Sequence, residues 1–185
     1  EKYRQPFMPV MPGARFAPFN DLAAAEAAIA DDVCAVLVEP IQGEGGLSVA
    51  TPEFLRGLRA RCDAVGALLI FDEIQCGMGR TGTLWAYEGY GITPDIMTVA
   101  KPLGGGLPIG AILMTQAVAD TLHAGEHGTT FGGGPLVTAV AKAVLERIAE
   151  PAFLAHVREL GDYLDEALHD FADGQPRVRE LRGRG

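Results

Sequence analysis

Two residues with reactive side chains stand just after apolar, strand-like runs. Asp72 follows the run at 67–71, and Lys101 follows the run at 96–99 after one alanine. In open α/β sheets, ligands bind beyond the carboxyl ends of the strands, so both side chains can face one crevice. A lysine placed there can form a Schiff base with a carbonyl, provided its amine is held unprotonated. A carboxylate opposite it can keep a pyridine nitrogen protonated, which makes the ring of pyridoxal phosphate an electron sink. Gly104, Gly105 and Gly106 lie close behind the lysine, where backbone can approach a ligand. On spacing alone, a surface lysine and a helix-capping aspartate remain open.

Other groupings are weaker. Gly77-Met78-Gly79-Arg80-Thr81-Gly82 matches G-x-G-x-x-G, with Asp95 downstream. A dinucleotide fingerprint needs its first glycine at the strand-to-helix turn and its acid at the end of the next strand. Here Asp72 to Cys76 intervene, and Asp95 precedes a strand, so these glycines read as a loop around a site. Thr129 and Thr130 can present hydroxyls to a phosphate or can serve ordinary turn chemistry. His123 and His127 are four apart, but Gly125 interrupts any helix between them, which argues against a metal pair. Cys76 reads as a small packing residue. Arg177, Arg179, Arg182 and Arg184 lack interleaved aromatics and read as a solvated strand edge.

The elements that position these groups follow from periodicity and punctuation. Pro6, Pro9, Pro12 and Pro18 make the first twenty residues an extended approach. Asn20 or Asp21 can cap an alanine-rich helix through about Ile29. The apolar runs at 33–38, 67–71, 96–99 and 109–114 predict buried strands. Thr51-Pro52-Glu53 starts a helix that Gly66 can end. Helices are predicted over 136–148 and from Pro151 to about Gly174, the latter with apolar residues at spacings near 3.6. A further strand begins at 178–181. The alternation predicts an α/β fold with a mostly parallel sheet and helices on both faces. A domain boundary falls near residue 150, giving 1–150 and 151–185, and the ending reads as cut.

Composition narrows the function classes. The chain has 185 residues, 24 acidic against 15 basic, for a net charge of −9, and is 48% hydrophobic. That apolar content excludes a disordered chain. The acidic balance argues against nucleic acid and anionic membrane surfaces. No apolar run approaches the ~20 residues of a membrane helix. Cys34, Cys62 and Cys76 form no C-x-x-C pair, which fits a reduced, cytoplasmic protein without structural zinc.

Several long motifs in order carry a resemblance. They are Val38-Glu39-Pro40-Ile41-Gln42-Gly43-Glu44-Gly45-Gly46, then Leu69-Ile70-Phe71-Asp72-Glu73-Ile74-Gln75-Cys76-Gly77-Met78-Gly79-Arg80-Thr81-Gly82. Pro94-Asp95-Ile96, Ala100-Lys101-Pro102-Leu103-Gly104-Gly105-Gly106-Leu107-Pro108-Ile109-Gly110-Ala111 and His127-Gly128-Thr129-Thr130-Phe131-Gly132-Gly133 follow. Together they resemble the class III pyridoxal-phosphate aminotransferases over nearly the whole chain. The opening Pro6-Phe7, Phe19-Asn20-Asp21 and the 71–80 stretch are most similar to the branch acting on N-acetylornithine.

The resemblance implies the fold-type-I architecture, pyridoxal phosphate as cofactor and an obligate homodimer. Lys101 would bond the cofactor and then shuttle a proton. Asp72 would hold the pyridine nitrogen protonated, and Gln75 would hydrogen-bond the phenolic oxygen, with Glu73 and Ile74 in the same cofactor-binding stretch. Thr130 would contact the phosphate, usually that of the neighbouring subunit's cofactor. Thr129 would lie near the substrate. Glu44 would act as a gate that lets one pocket take a basic amine and a dicarboxylate, and Glu39 would support the site. The implied reaction moves the terminal amino group of N-acetylornithine to 2-oxoglutarate, in arginine biosynthesis. Ornithine, succinyl-diaminopimelate or 4-aminobutyrate as donor, and a non-catalytic chain, stay open. The family's phosphate loop, ring-stacking aromatic and carboxylate-binding arginines are not found in this span, so 1–150 would be the second half of the large domain and 151–185 the start of the small one. Gly134 stands where the family usually has asparagine, which bears on the local turn.

Overall fold

A computed structural model describes residues 5–9, 12–44 and 46–185; residues 1–4, 10 and 11 of the extended opening lie outside them. A 3-10 turn at Gln5–Phe7 precedes helix α1 (Leu22–Ala28). Asp21 is the cap, its carboxylate accepting the Ala24 N–H at 2.9 Å. Asn20 sits in the left-handed region, φ 63°. Its side chain donates to the Val49 carbonyl at 3.0 Å and accepts the Thr51 N–H at 2.9 Å. The start of α1 is thereby tied to a later segment.

Strand β1 (Ala35–Val38) leads into a small antiparallel hairpin, β2 (Ile41–Gln42) with β3 (Ser48–Val49). Helix α2 (Pro52–Val65) begins as the sequence predicts. Thr51 accepts the Phe54 N–H, Pro52 occupies the first turn, and Gly66 closes the helix at φ 74°. Strand β4 (Leu68–Asp72), a 3-10 helix at Ala86–Tyr90, strand β5 (Ile96–Val99) and strand β6 (Ala111–Met114) follow. A short helix α3 (Gln116–Ala119), then α4 (Pro135–Ile148) and α5 (Pro151–Ala172), complete the order.

The main sheet runs β1-β4-β5-β6. The first two pairings are parallel and the last antiparallel, so the sheet is mostly parallel. Val36, Val38, Leu69, Phe71, Met97 and Val99 share one face by register and by the two-residue period. On that face Leu69 and Phe71 pack with Phe54, Leu55 and Leu58 of α2, and Met97 and Val99 pack with Ala141 of α4. The opposite face carries Leu37, 68% exposed, and Ile112, 62% exposed. Among the described residues, the helices that pack on the sheet therefore lie on one face.

No strand forms at 178–181, contrary to the expectation. A strand must exchange hydrogen bonds with a neighbour, and no described strand pairs with this segment. The tail instead places the Arg184 guanidinium 5.6 Å from the centroid of the Tyr90 ring.

Candidate active site

The carboxyl ends of three strands meet at one edge. Val38 is paired with Phe71, and Asp72 with Thr98. Glu39 directly follows β1, Asp72 ends β4, and Lys101 comes two residues after β5. The charges feel one another. Burial holds the Glu39 carboxyl above its ordinary range, the Asp72 carboxylate pushes the same way, and Lys101 opposes both; Glu44 adds a smaller push upward. By alternation Asp72 points away from Phe71 and the helix-covered core, to the open face. Thr98 shares that face beside it, and its Oγ1 is buried with no hydrogen-bond partner among the described residues.

The turn after Asp72 is pinned at several atoms. Asp72 Oδ1 accepts the Ile74 N–H at 3.0 Å. The Glu73 N–H donates to the Thr98 carbonyl, and the Gly77 N–H to the Glu73 carbonyl, each at 3.0 Å. Glu73 is 1% exposed. Its two carboxylate oxygens accept the Ala86 N–H at 2.7 Å and the Tyr87 N–H at 2.8 Å. Burial nevertheless pushes its carboxyl up to about 7. The neighbouring Cys76 thiol is pushed up to about 12 by burial first and by Glu73 second, so it is an inert packing group.

Gln75 reaches back over the loop that carries Glu44. A Cβ on Gly43 would stand 1.3 Å from Gln75 Oε1, so the amide lies in space that only glycine leaves open. Glycine plays a similar part behind Lys101. A Cβ on Gly104 would stand 1.9 Å from the Leu107 carbonyl oxygen. The turn closes there through Leu103 N–H to Ala100 O at 2.6 Å and Leu107 N–H to Gly104 O at 3.0 Å. Lys101 itself is exposed on this turn.

The structure thus gathers Glu39, Glu44, Asp72, Gln75 and Lys101, with Glu73 and Ile74 inside the same turn. Thr129 and Thr130 are exposed in the connection between α3 and α4 and make no hydrogen bond to Asp72, Gln75 or Lys101 among the described residues. The G-x-G-x-x-G stretch is packed by the chain itself. A Cβ on Gly79 would meet Ile148 at 2.6 Å, one on Gly82 would meet Arg158 at 2.4 Å, and Arg158 donates to the Gly82 carbonyl. These glycines seat α4 and α5, which leaves no cradle for a dinucleotide. Gly43 and Thr98 escaped the sequence reading. Gly43 lies inside a quoted motif, but contact with Gln75 across the fold has no local signal. Thr98 looks like any strand threonine.

Comparison with known proteins places this geometry. The family model described as aminotransferase class-III matches residues 1–185. The mitochondrial acetylornithine aminotransferase of Alnus glutinosa is 55% identical over 186 residues, covering all of this chain and 41% of that protein. The succinylornithine transaminase of Yersinia enterocolitica is 54% identical over 184 residues, covering all of this chain and 44% of that protein. The crystal structure of the ornithine aminotransferase from Toxoplasma gondii ME49 superimposes with a TM-score of 0.92 at 39% identity, covering 97% of this chain and 43% of that one. The chain spans less than half the length of each of these proteins.

Proposed function

Because the chain belongs to the class-III aminotransferases, we propose that it forms part of an enzyme moving the terminal amino group of N-acetylornithine to 2-oxoglutarate, in arginine biosynthesis. The observation that carries this reading is the convergence of Glu39, Asp72 and Lys101 at one strand edge. The choice of an N-acylated ornithine is supported by the names of the Alnus glutinosa and Yersinia enterocolitica relatives, each of which matches the whole chain.

Class-III aminotransferases use pyridoxal phosphate. The residues here fit that group: an exposed amine and a carboxylate at one edge, an amide held over a bare glycine, and a buried hydroxyl beside the carboxylate that has no partner among the described residues. When bound, the cofactor supplies a carbonyl for the amine and a conjugated ring that takes up the electron pair released at the substrate carbon. Lys101 would hold it through Nζ and, once released, would carry a proton on that nitrogen. Asp72 would hold the ring nitrogen protonated by offering it a fixed negative charge. Gln75 would donate an amide N–H to the phenolic oxygen. Glu44, near the other charges yet on a hairpin loop, would switch between pairing with a substrate-site cation and leaving it for a dicarboxylate. Glu39 would support the edge.

Thr129 would lie near the substrate, and Thr130 would reach the phosphate of a second subunit's cofactor in a homodimer. Phe131 beside it is 92% exposed, which suits a contact with another chain. Residues 1–150 would belong to the large domain and 151–185 would open the small one. The three cysteines are unpaired, which suits the cytoplasm. No described helix is long and apolar enough to cross a membrane.

Reductive trapping tests the reading. The sequence holds three lysines, Lys2, Lys101 and Lys142. Incubation of the folded chain with pyridoxal phosphate, borohydride reduction and peptide mass mapping should give one adduct, on Lys101, lost in Lys101→Ala. A folded chain with no adduct, or with labelling spread over all three lysines, would overturn it.

A further inference from the structure

We propose that Glu73 is a positioning residue for this site: by accepting the N–H groups of Ala86 and Tyr87, its buried carboxylate holds rigid the turn that presents Asp72 and Gln75. The proposal rests on the aminotransferase reading above and adds a residue that works without touching the cofactor. Residue 73 is fixed at four points. Its N–H reaches the Thr98 carbonyl, its carbonyl receives the Gly77 N–H, and its two carboxylate oxygens take one backbone donor each. Asp72 is one residue before it and Gln75 two after, so the main chain at neither can shift without breaking part of this set.

The choice of residue type is informative. A carboxylate is costly to bury. No lysine or arginine pairs with this one among the described residues. A well-packed apolar side chain of similar volume would fill the space at no such cost. What only the carboxylate supplies is two acceptors aimed at two successive N–H groups, which ties the end of β4 to the 3-10 helix at 86–90. Glycine at 77 lets the chain close over it, since a Cβ there would stand 2.8 Å from the Glu73 carbonyl oxygen and 2.9 Å from Oε2.

Two variants test this, beside a control. Glu73→Gln keeps one acceptor and turns an amide N–H against a backbone N–H. Gly77→Ala keeps the carboxylate but crowds both it and the Glu73 carbonyl. Leu58→Ala, in the α2 core, is the control for a general loss of stability. Each folded chain is measured at pH 8, where the Glu73 carboxyl is ionised, in two ways: hydrogen exchange of the 72–77 and 86–87 amides without cofactor, and pyridoxal phosphate titration followed by absorbance and by the circular dichroism that binding induces. Glu73→Gln should speed exchange across 72–77, raise the cofactor Kd about tenfold, the size expected when one charge-assisted hydrogen bond is lost, and weaken the induced band. Gly77→Ala should move all three the same way, and Leu58→Ala should leave the induced band as in the wild type. Wild-type exchange over 72–77 in a folded Glu73→Gln chain would overturn the proposal, as would a wild-type Kd and band. Should Glu73→Gln not fold, the same results in Gly77→Ala decide it. If the wild-type chain traps no cofactor on Lys101, the aminotransferase reading fails separately, and the exchange comparison still decides whether the clamp exists.

Discussion

At Gly43 and at Gly104 a single methyl group would collide with the chain, yet the two collisions differ in kind. At Gly43 the obstacle is Gln75 Oε1, the far end of a flexible side chain, 1.3 Å from the added carbon. Gln75 can swing aside, so Gly43→Ala should stay folded, with a stability change within about 1 kcal/mol. It should still lose cofactor affinity, because the amide is no longer held where the phenolic oxygen would meet it. At Gly104 the obstacle is the Leu107 carbonyl, main chain that cannot rotate away, at 1.9 Å. Gly104→Ala should therefore lower stability by roughly 1–3 kcal/mol, the usual range for overpacking, and should also reduce trapping on Lys101. Thermal melts and a pyridoxal phosphate titration separate the cases, and a Gly104→Ala chain as stable as wild type would remove the argument. The glycines behind Lys101 were legible as a place of close approach. That the approaching group at Gly104 is the chain's own backbone was not legible, because the contact depends on how the turn closes.

At the scale of elements, the Glu73 clamp joins strand β4 to the 3-10 helix and makes that joint sensitive to pH. Burial is the largest influence on its carboxyl and raises it from 4.5 to about 7, against the two N–H donors; Glu88 adds a smaller push upward. Below pH 4.5 the group is protonated folded or unfolded. Between 4.5 and about 7 the unfolded chain gives up the proton while the folded chain keeps it, so stability falls as pH rises through that window and then levels off. At about 1.4 kcal/mol per pKa unit the loss is a few kcal/mol. Urea unfolding at pH 5, 6, 7 and 8 should show this decline in the wild type and a shallower one in Glu73→Gln. A residual slope of the same sign is expected from Glu39, also raised by burial. Equal slopes in the two chains would mean that Glu73 titrates normally. Much of the element plan could be read beforehand. Strand β5 and helix α2 match their predicted spans because an apolar run and a cap-to-glycine frame are local signals. The β2–β3 hairpin has two residues per strand, too few to show a period. The strand expected at 178–181 had the right residues but pairs with no described strand. Asp72 and Lys101 were legible by their place after strands, whereas the partners of the Glu73 carboxylate lie thirteen and fourteen residues away, across a loop with no period to follow.

For the molecule as a whole, the uneven covering of the sheet sets what this span can do alone. One face is packed by α2 and α4, and the other leaves Leu37 and Ile112 largely in water. Asp72 and Thr98 stand on that open face, so the site borders solvent on the side where a cofactor ring would need exclusion of water. Electrostatic catalysis is strongest in a dry, preorganised site and weakens when water enters. The chain spans 41% of the Alnus glutinosa relative and 44% of the Yersinia enterocolitica one. We therefore expect it to bind pyridoxal phosphate through Lys101 yet to turn over N-acetylornithine and 2-oxoglutarate on the order of a hundredfold or more below a full-length relative, in keeping with the penalty for imperfect positioning. A coupled assay for glutamate, run beside the full-length Alnus glutinosa protein, measures the gap. The open face should also bind a hydrophobic dye, and that signal should fall if the part of the relative that this chain does not span is supplied in trans. Activity equal to the full-length protein would mean that this span holds a complete site. The exposed leucine and isoleucine would then be ordinary surface residues, and the catalytic role of solvent exclusion would have to be placed elsewhere in the molecule.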